Sequence, residues 1–342
     1  FVGDTAAYFL AVNRNKRSLE LDLHSPDGQQ AAAALVAKSD VVVENWRPGT
    51  SARLGLDAAT LRERHPRLVH CSISGFGSDG PPRAGYDQIV QGMSGWMSLT
   101  GEGAGEPTKA GVPVGDISAG MFAAQGIMAA LFKRERTGEG SVVDVAMLDS
   151  LVAMLAYQAT RFFATGLPPL RDGNQHATIA PYGTFPTKDG SLNVCVGNDH
   201  QFQRLCAALN AQQLGGDSRY QTNPLRLEHR AELTDDLSKV FRELTSADLL
   251  ERLELAGVPA GPIRTLDEVF ADEDVQRRAL QLRVDHEELG EVSVPGGPWR
   301  IDGEPVSARL PPPVLGQHTA QILQELGLSV TPPAHDDSRT GN

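Results

Sequence analysis

The stretch "KRSLELDLHSPDGQQAAAALVAKSDVVVEN", Lys16 to Asn45, decides the fold. Its first eight residues, "KRSLELDL", alternate apolar and polar side chains, as a strand does. Ser25 is placed to cap a helix, and Pro26 suits the first helical position, where a missing N–H removes no hydrogen bond. An alanine-rich body follows, and then "VVVEN", a β-branched run of the kind found in strands buried on both faces. Strand, helix and strand within about thirty residues make one βαβ unit.

The pattern continues outward. Asp57 can cap the helix "AATLRERH", Pro66 helps end it, and "LVHCSIS" reads as the next buried strand. The expected class is α/β, a Rossmann-like domain with a mostly parallel sheet. Ligands in such sheets sit beyond the carboxyl ends of the strands, so the segments from Glu44 to Arg47 and from Ser74 to Gly77 are the ones to inspect. "MFAAQGIMAALFKRE" predicts a helix with basic residues in its last turn, "TGEG" breaks it, and "SVVDVAML" predicts another strand.

Beyond Pro168 and Pro169 a proline- and glycine-punctuated connector runs to about Pro181. "YGTFPTKDGSLNVCV" then reads as a hairpin turning at Asp189-Gly190. "DHQFQRLCAALN", "LRLEHRAELTDDLSKVFRELT" and "SADLLERLELAG" predict helices, and "HTAQILQELG" one more near the end. The expected layout is a large domain over 1–180 including the connector, a smaller α+β domain over 181–285, and a segment over 286–342 returning to the large domain. The tail after Pro332 is expected to be loose.

A net charge of −12 argues against a nucleic-acid partner, which requires basic patches. The three cysteines, Cys71, Cys195 and Cys206, share no paired spacing, so a reducing, cytoplasmic setting is expected and a zinc site is not. "DSLVAMLAYQATRFFATG" is interrupted by Asp149, Gln158 and Arg161, too polar to span a bilayer, and no membrane partner is expected. No signal-peptide pattern opens the sequence, and a start at Phe1 rather than Met leads us to expect residues upstream.

"GFGSDG" (Gly75 to Gly80) matches G-x-G-x-x-G, but Pro81-Pro82 stand where a dinucleotide site needs a helix to open, so an extended loop is expected. The histidines form no H-E-x-x-H pattern, there is no G-x-S-x-G elbow, and no metal is expected. "ENWRPGTSARLG" puts Trp46, Arg47 and Arg53 just after a buried strand. Guanidinium forks suit phosphates and an exposed indole stacks on a purine, although a solvated loop with an incidental Trp is the commoner meaning. In "GVPVGDISAGMFAAQGI" Asp116 reads first as an ordinary N-cap. Its small neighbours Gly115, Ser118, Ala119 and Gly120 leave room around the carboxylate, and a helix start offers N–H donors to a developing oxyanion.

Taken in order, "NKRSLELDL", "VVVENWRPGTSARLGLD", "SISGFGSDGP", "GYDQIVQ", "GVPVGDISAGM", "RTGEGSVVDVAMLD", "VGNDHQF", "GVPAGPI" and "LGQHTAQILQELG" resemble the family III, formyl-CoA transferase-like CoA-transferases, the CaiB/BaiF group. The resemblance implies an acyl-CoA:carboxylate CoA-transferase with coenzyme A as substrate, no permanently bound cofactor, and an interlocked homodimer. It places Asp116 at the catalytic aspartate, which forms covalent aspartyl intermediates. It places Leu21, Leu23, His24 (where a lysine can stand), Asn45, Trp46 and Arg53 at CoA-contacting positions, and Tyr86 at the thioester end. Asp87, Asn174, His176 and Tyr182 become candidate acyl or acceptor contacts. "GNQHATIAPYG" resembles the dicarboxylate-using branch, which suggests succinyl-CoA as donor. Family members also carry a further βα unit ahead of the segment that opens this sequence, with part of the CoA site.

α-Methylacyl-CoA racemases of the same fold resemble "G-H-D" where this chain has Gly85-Tyr86-Asp87. Their histidine shuttles the α-proton, and a neutral tyrosine with a pKa near 10 replaces it poorly. Asp199 stands near the racemases' supporting glutamate. Transfer is the expected reaction, with a racemase or epimerase and an inactive CoA-binding relative as the alternatives.

Overall fold

The computed structural model describes residues 1–80 and 83–328, so Pro81-Pro82 and the tail after Pro332 lie outside the described residues. The chain divides into two compact units. The first comprises Phe1–Ala84, Ala119–Met147 and Thr265–Asn342, the second Gly85–Ser118 and Leu148–Arg264. The units are cut differently from the expected domains: 85–118 and 148–180 fall in the second unit with 181–264, and 265–285 falls in the first.

The first unit holds a parallel sheet in the order β1 (Val41–Glu44), β2 (Val69–Ser74), β3 (Val142–Ala146). Cys71 of the central strand pairs with Val43 on one side and Val143 on the other. The helix Pro26–Ala37 begins where its cap requires, with Ser25 Oγ accepting from the Gly28 N–H at 3.0 Å. Asp57 caps Ala58–Arg64 in the same way, and Val36, Leu61 and Leu68 pack together under these helices. Entry to β3 depends on Gly140, because a Cβ there would lie 2.0 Å from the Leu68 carbonyl oxygen of the neighbouring chain segment.

"KRSLELDL" is not a strand. Part of its backbone pairs with the C-terminal segment instead: the His318 N–H donates to Ser18 O at 3.0 Å, and Thr319 Oγ1 accepts from the Glu20 N–H at 3.0 Å. The alternation is real, but no strand ladder takes up its amides. Two antiparallel pairs had no counterpart among the expected elements, Gln281–His286 with Gly290–Pro295 and Arg300–Ile301 with Glu304–Pro305.

The second unit contains an antiparallel sheet in the order β4 (Tyr182–Pro186), β5 (Ser191–Cys195), β6 (Ala260–Pro262). The expected hairpin at Asp189-Gly190 is formed, with Phe185 paired to Leu192. Its core is Phe185, Leu192, Val194, Phe202, Leu205, Tyr220, Leu233, Leu237, Phe241, Leu249 and Leu253, drawn from the hairpin and the helices after it. Each such apolar side chain contributes about 1.5–3 kcal/mol on burial. The apolar stretch from Asp149 to Gly166 folds into two helices, Met147–Ala153 and Ala156–Thr165, broken where Ala156 takes φ +45°. "LRLEHRAELTDDLSKVFRELT" likewise divides at His229 into Asn223–Glu228 and Arg230–Phe241. Among the described residues, one helix is long and apolar enough to cross a membrane by length and composition, Val114–Thr137, of 24 residues.

Candidate active site

The helix Val114–Thr137 starts earlier than a capping role for Asp116 would need. Ile117 N–H donates to Pro113 O at 3.0 Å, so Pro113 is the capping residue and Asp116 lies inside the first turn. The carboxylate is exposed there, at the end of the helix that favours a negative charge, while Gly115, Ser118 and Ala119 beneath it are buried.

Capping comes from another element. The helix Asp87–Met93 carries Asp87, whose Oδ1 accepts from the Gly115 N–H at 2.8 Å. Its Oδ2 accepts from Gln91 Nε2 at 2.6 Å, and the Oε1 of the fully buried Gln91 accepts from the Ala110 N–H at 2.9 Å. Asp87 was expected to meet substrate; both its oxygens are taken by protein donors. Val114 N–H is also engaged, by Val112 O at 2.8 Å. The helix-start amides of Val114, Gly115 and Ile117, expected as oxyanion donors, are therefore committed within the protein. Tyr86 precedes Asp87 at the cap position with its side chain 66% exposed.

The expected CoA positions fall in the first unit, at the carboxyl ends of β1 and β2 and around the helix Pro26–Ala37. Asn45 Nδ2 donates to Ile73 O at 2.6 Å, which pins the loop after β1 to β2. Glu44 accepts from the Ser72 hydroxyl and, at 2.7 Å, from the Trp46 N–H, leaving the indole 39% exposed. Arg53, also exposed, donates to Thr50 Oγ1 at 2.9 Å in the helix Thr50–Arg53. Leu21 is half-buried and His24 exposed. Leu23 lines a cavity of about 230 Å³ with Gln29, Leu54, Arg64 and His65. Of these, only Leu23 was singled out from the sequence; Arg64 and His65 close a helix in the pattern, and nothing local marks them as lining.

The segment Gly75 to Gly80 opens no helix, but it is not extended as expected: it turns at Gly77, φ +90°, and the Gly80 N–H donates to Gly77 O at 3.2 Å. Asp144 on β3 anchors it, accepting from the Ser78 N–H at 3.1 Å and the Ser78 hydroxyl at 2.6 Å.

In the second unit His176 and Tyr182 meet, with ring centroids 4.9 Å apart, and Tyr157 stacks on His176 with centroids at 6.0 Å. Thr178 N–H donates to His176 Nδ1 at 3.2 Å, so a neutral imidazole carries its proton on Nε2. A hydrogen bond with the Cys195 thiol, and that group's charge when ionised, hold the Tyr182 phenol above its ordinary pKa. Asn174 is exposed nearby in the chain, its carbonyl oxygen facing Gly183. Asp199 is engaged by the buried guanidinium of Arg226 at 2.7 Å. Among the described residues no cluster of three or more His, Cys, Asp or Glu could hold a metal ion.

The family model for CoA-transferase family III matches residues 1–319. The chain belongs to that family. This family III CoA-transferase is 45% identical over 326 residues to succinate–glutarate CoA-transferase from Agrobacterium fabrum, covering 94% of this chain and 81% of the relative. It is 40% identical over 328 residues to succinyl-CoA:glutarate CoA-transferase from Mus musculus, covering 95% of this chain and 75% of the relative. Among solved structures, a CaiB/BaiF family protein from Brucella suis superimposes with a TM-score of 0.83 at 40% identity, covering 94% and 84% of the two chains. As a CoA-transferase the enzyme takes CoA thioesters as substrates rather than as a resident cofactor.

Proposed function

We propose that the enzyme moves CoA from succinyl-CoA to a short dicarboxylic acid, glutarate first among candidates, through covalent intermediates on Asp116. The observation that carries this is the identity of 45% and 40% to two transferases named for succinate or succinyl-CoA and glutarate. The exposed position of Asp116 in a first helical turn, above small buried residues, supports its role as nucleophile.

In the proposed sequence the Asp116 carboxylate attacks the thioester carbonyl, giving an aspartyl–succinyl anhydride and CoA thiolate. Thiolate attack on the aspartyl carbonyl releases succinate and leaves an aspartyl-CoA thioester. The acceptor carboxylate then displaces thiolate to form a second anhydride, and the thiolate takes the new acyl group, restoring Asp116. Each step exchanges one acyl bond for another, and no net proton is required.

The cavity at Leu23 with Arg64 and His65, and the exposed Trp46 and Arg53, are the groups we assign to the nucleotide portion of CoA. Tyr157, His176 and Tyr182 are the groups we assign to the acceptor, because they offer an N–H and phenolic hydroxyls to a distal carboxylate. We also propose a homodimer, and a reducing, cytoplasmic setting on cysteine usage. Ile117, Met121, Met128 and Phe132, one face of the long helix at spacings of four and seven, are 46%, 59%, 67% and 63% exposed in the single chain.

Incubation with succinyl-CoA should add a hydroxylamine-sensitive mass to the peptide containing Asp116, and glutarate should discharge it as glutaryl-CoA. Asp116→Ala should lose the adduct and at least about 10³-fold in turnover, the scale on which loss of a nucleophile acts. A variant that kept the parent's turnover would refute the assignment.

A further inference from the structure

The nucleophile's helix is held at its start by a hydrogen-bond chain whose polarity is fixed throughout. Ala110 N–H has only a donor to offer, so the Gln91 side chain presents Oε1 to it, at 2.9 Å. Its amide is thereby oriented, and Nε2 faces Asp87 Oδ2 at 2.6 Å. The other end of Asp87 meets a second donor, the Gly115 N–H, at 2.8 Å. A group in this place must accept at both ends. Only an ionised carboxylate of this length does so; an amide or a protonated acid puts a donor against a donor. Gln91 is fully buried and Asp87 half-buried, so water compensates poorly for a broken link.

We propose that Asp87, oriented by Gln91, is a positioning residue for Asp116. It does not touch the reacting carbon. It clamps the N–H of Gly115, the residue before Asp116, fixing the direction in which the first turn presents its carboxylate. The chain Ala110–Gln91–Asp87–Gly115 ties the backbone on both sides of the long helix's start, at Ala110 and at Gly115, to the helix Asp87–Met93. This rests on Asp116 being the nucleophile, as proposed above.

The test measures the rate of hydroxylamine-sensitive adduct formation from succinyl-CoA, the KM for succinyl-CoA, and thermal melting for each protein. Asp87→Ala should slow the adduct step about 10²-fold, the scale of a misplacement near 1 Å, with KM for succinyl-CoA unchanged. Asp87→Asn should also be slow, since its amide nitrogen opposes Gln91 Nε2. Adding Gln91→Glu to Asp87→Asn should recover most of the lost rate. In that double variant the carboxylate introduced at position 91 accepts both from the Ala110 N–H and from the amide introduced at position 87. The amide oxygen at position 87 then accepts again from the Gly115 N–H.

Should Asp87→Ala melt early, Asp87→Asn and the double variant, differing in one restored link, read the same quantity. An adduct rate in Asp87→Ala equal to the parent's overturns the proposal. So does a double variant that melts like the parent yet reacts no faster than Asp87→Asn, or a loss that appears wholly in KM. Asp116→Asn is run alongside. If it still transfers CoA, the nucleophile reading fails; if it is inactive while Asp87→Ala reacts at the parent's rate, only the positioning role fails.

Discussion

Arg226 has no exposure to solvent, yet its guanidinium finds three oxygens: Ala180 O at 2.6 Å, Tyr220 O at 3.0 Å and Asp199 Oδ1 at 2.7 Å, with Phe202 stacked 4.7 Å away. It therefore fixes the chain just before Tyr182, and Asp199 serves it as counter-ion. The two partners are unequal, since Asp199 is 53% exposed and its half of the pair is screened by water. Arg226→Met should cost about 3 kcal/mol, mostly from leaving two carbonyls without donors, read as a shift in urea midpoint. Asp199→Asn should cost less than about 1 kcal/mol and keep CoA transfer. Loss of transfer in Asp199→Asn with stability intact would return Asp199 to a chemical role. Nothing in the sequence around "NPLRLEHR" announced Arg226, because a buried arginine is defined by carbonyls that only the folded chain supplies.

Among the elements, the β4–β5 hairpin was legible from alternation and from Asp189-Gly190, but its anchoring was not. Asp189 Oδ1 accepts from Thr187 Oγ1 at 3.0 Å within the turn, and from the Ser246 N–H at 2.8 Å and hydroxyl at 2.9 Å at the start of the helix Ser246–Leu255. The backbone hydrogen bond from Ser246, then its hydroxyl, hold the Asp189 carboxyl below its ordinary 3.8. The unfolded chain therefore binds this proton more readily than the folded one. The stabilisation is whole above 3.8 and drains away as pH falls from there through the folded value. Asp189→Asn should be less stable than the parent at pH 7, and the gap between their urea midpoints should close as pH is lowered through that window. A gap independent of pH would mean the charge contributes nothing.

On the scale of the whole molecule, apolar side chains remain open on the single chain, among them Phe163 at 79% and Met128 at 67%. Monomeric proteins rarely leave large contiguous apolar patches uncovered, and the homodimer proposed above would offer such side chains a partner surface. Light scattering at low concentration should report twice the chain mass, and Met128→Glu with Phe132→Glu should lower it toward one. A stable monomer in the parent protein would contradict the proposal.

By itself the sequence determined the α/β class, the helix caps at Ser25 and Asp57, the Asp189-Gly190 turn, and the order of family segments around Asp116. These depend on local rules, on a cap beside its helix and a turn between its strands, and local rules are written in consecutive residues. Tertiary structure alone decided that "KRSLELDL" meets the C-terminal segment at Ser18 and Glu20 rather than joining a ladder, that Asp116 sits within its helix instead of capping it, and that Asp87 binds the helix start from 28 residues away. Each of those outcomes turns on which distant donor reaches which acceptor, and that pairing exists only once the chain has closed on itself.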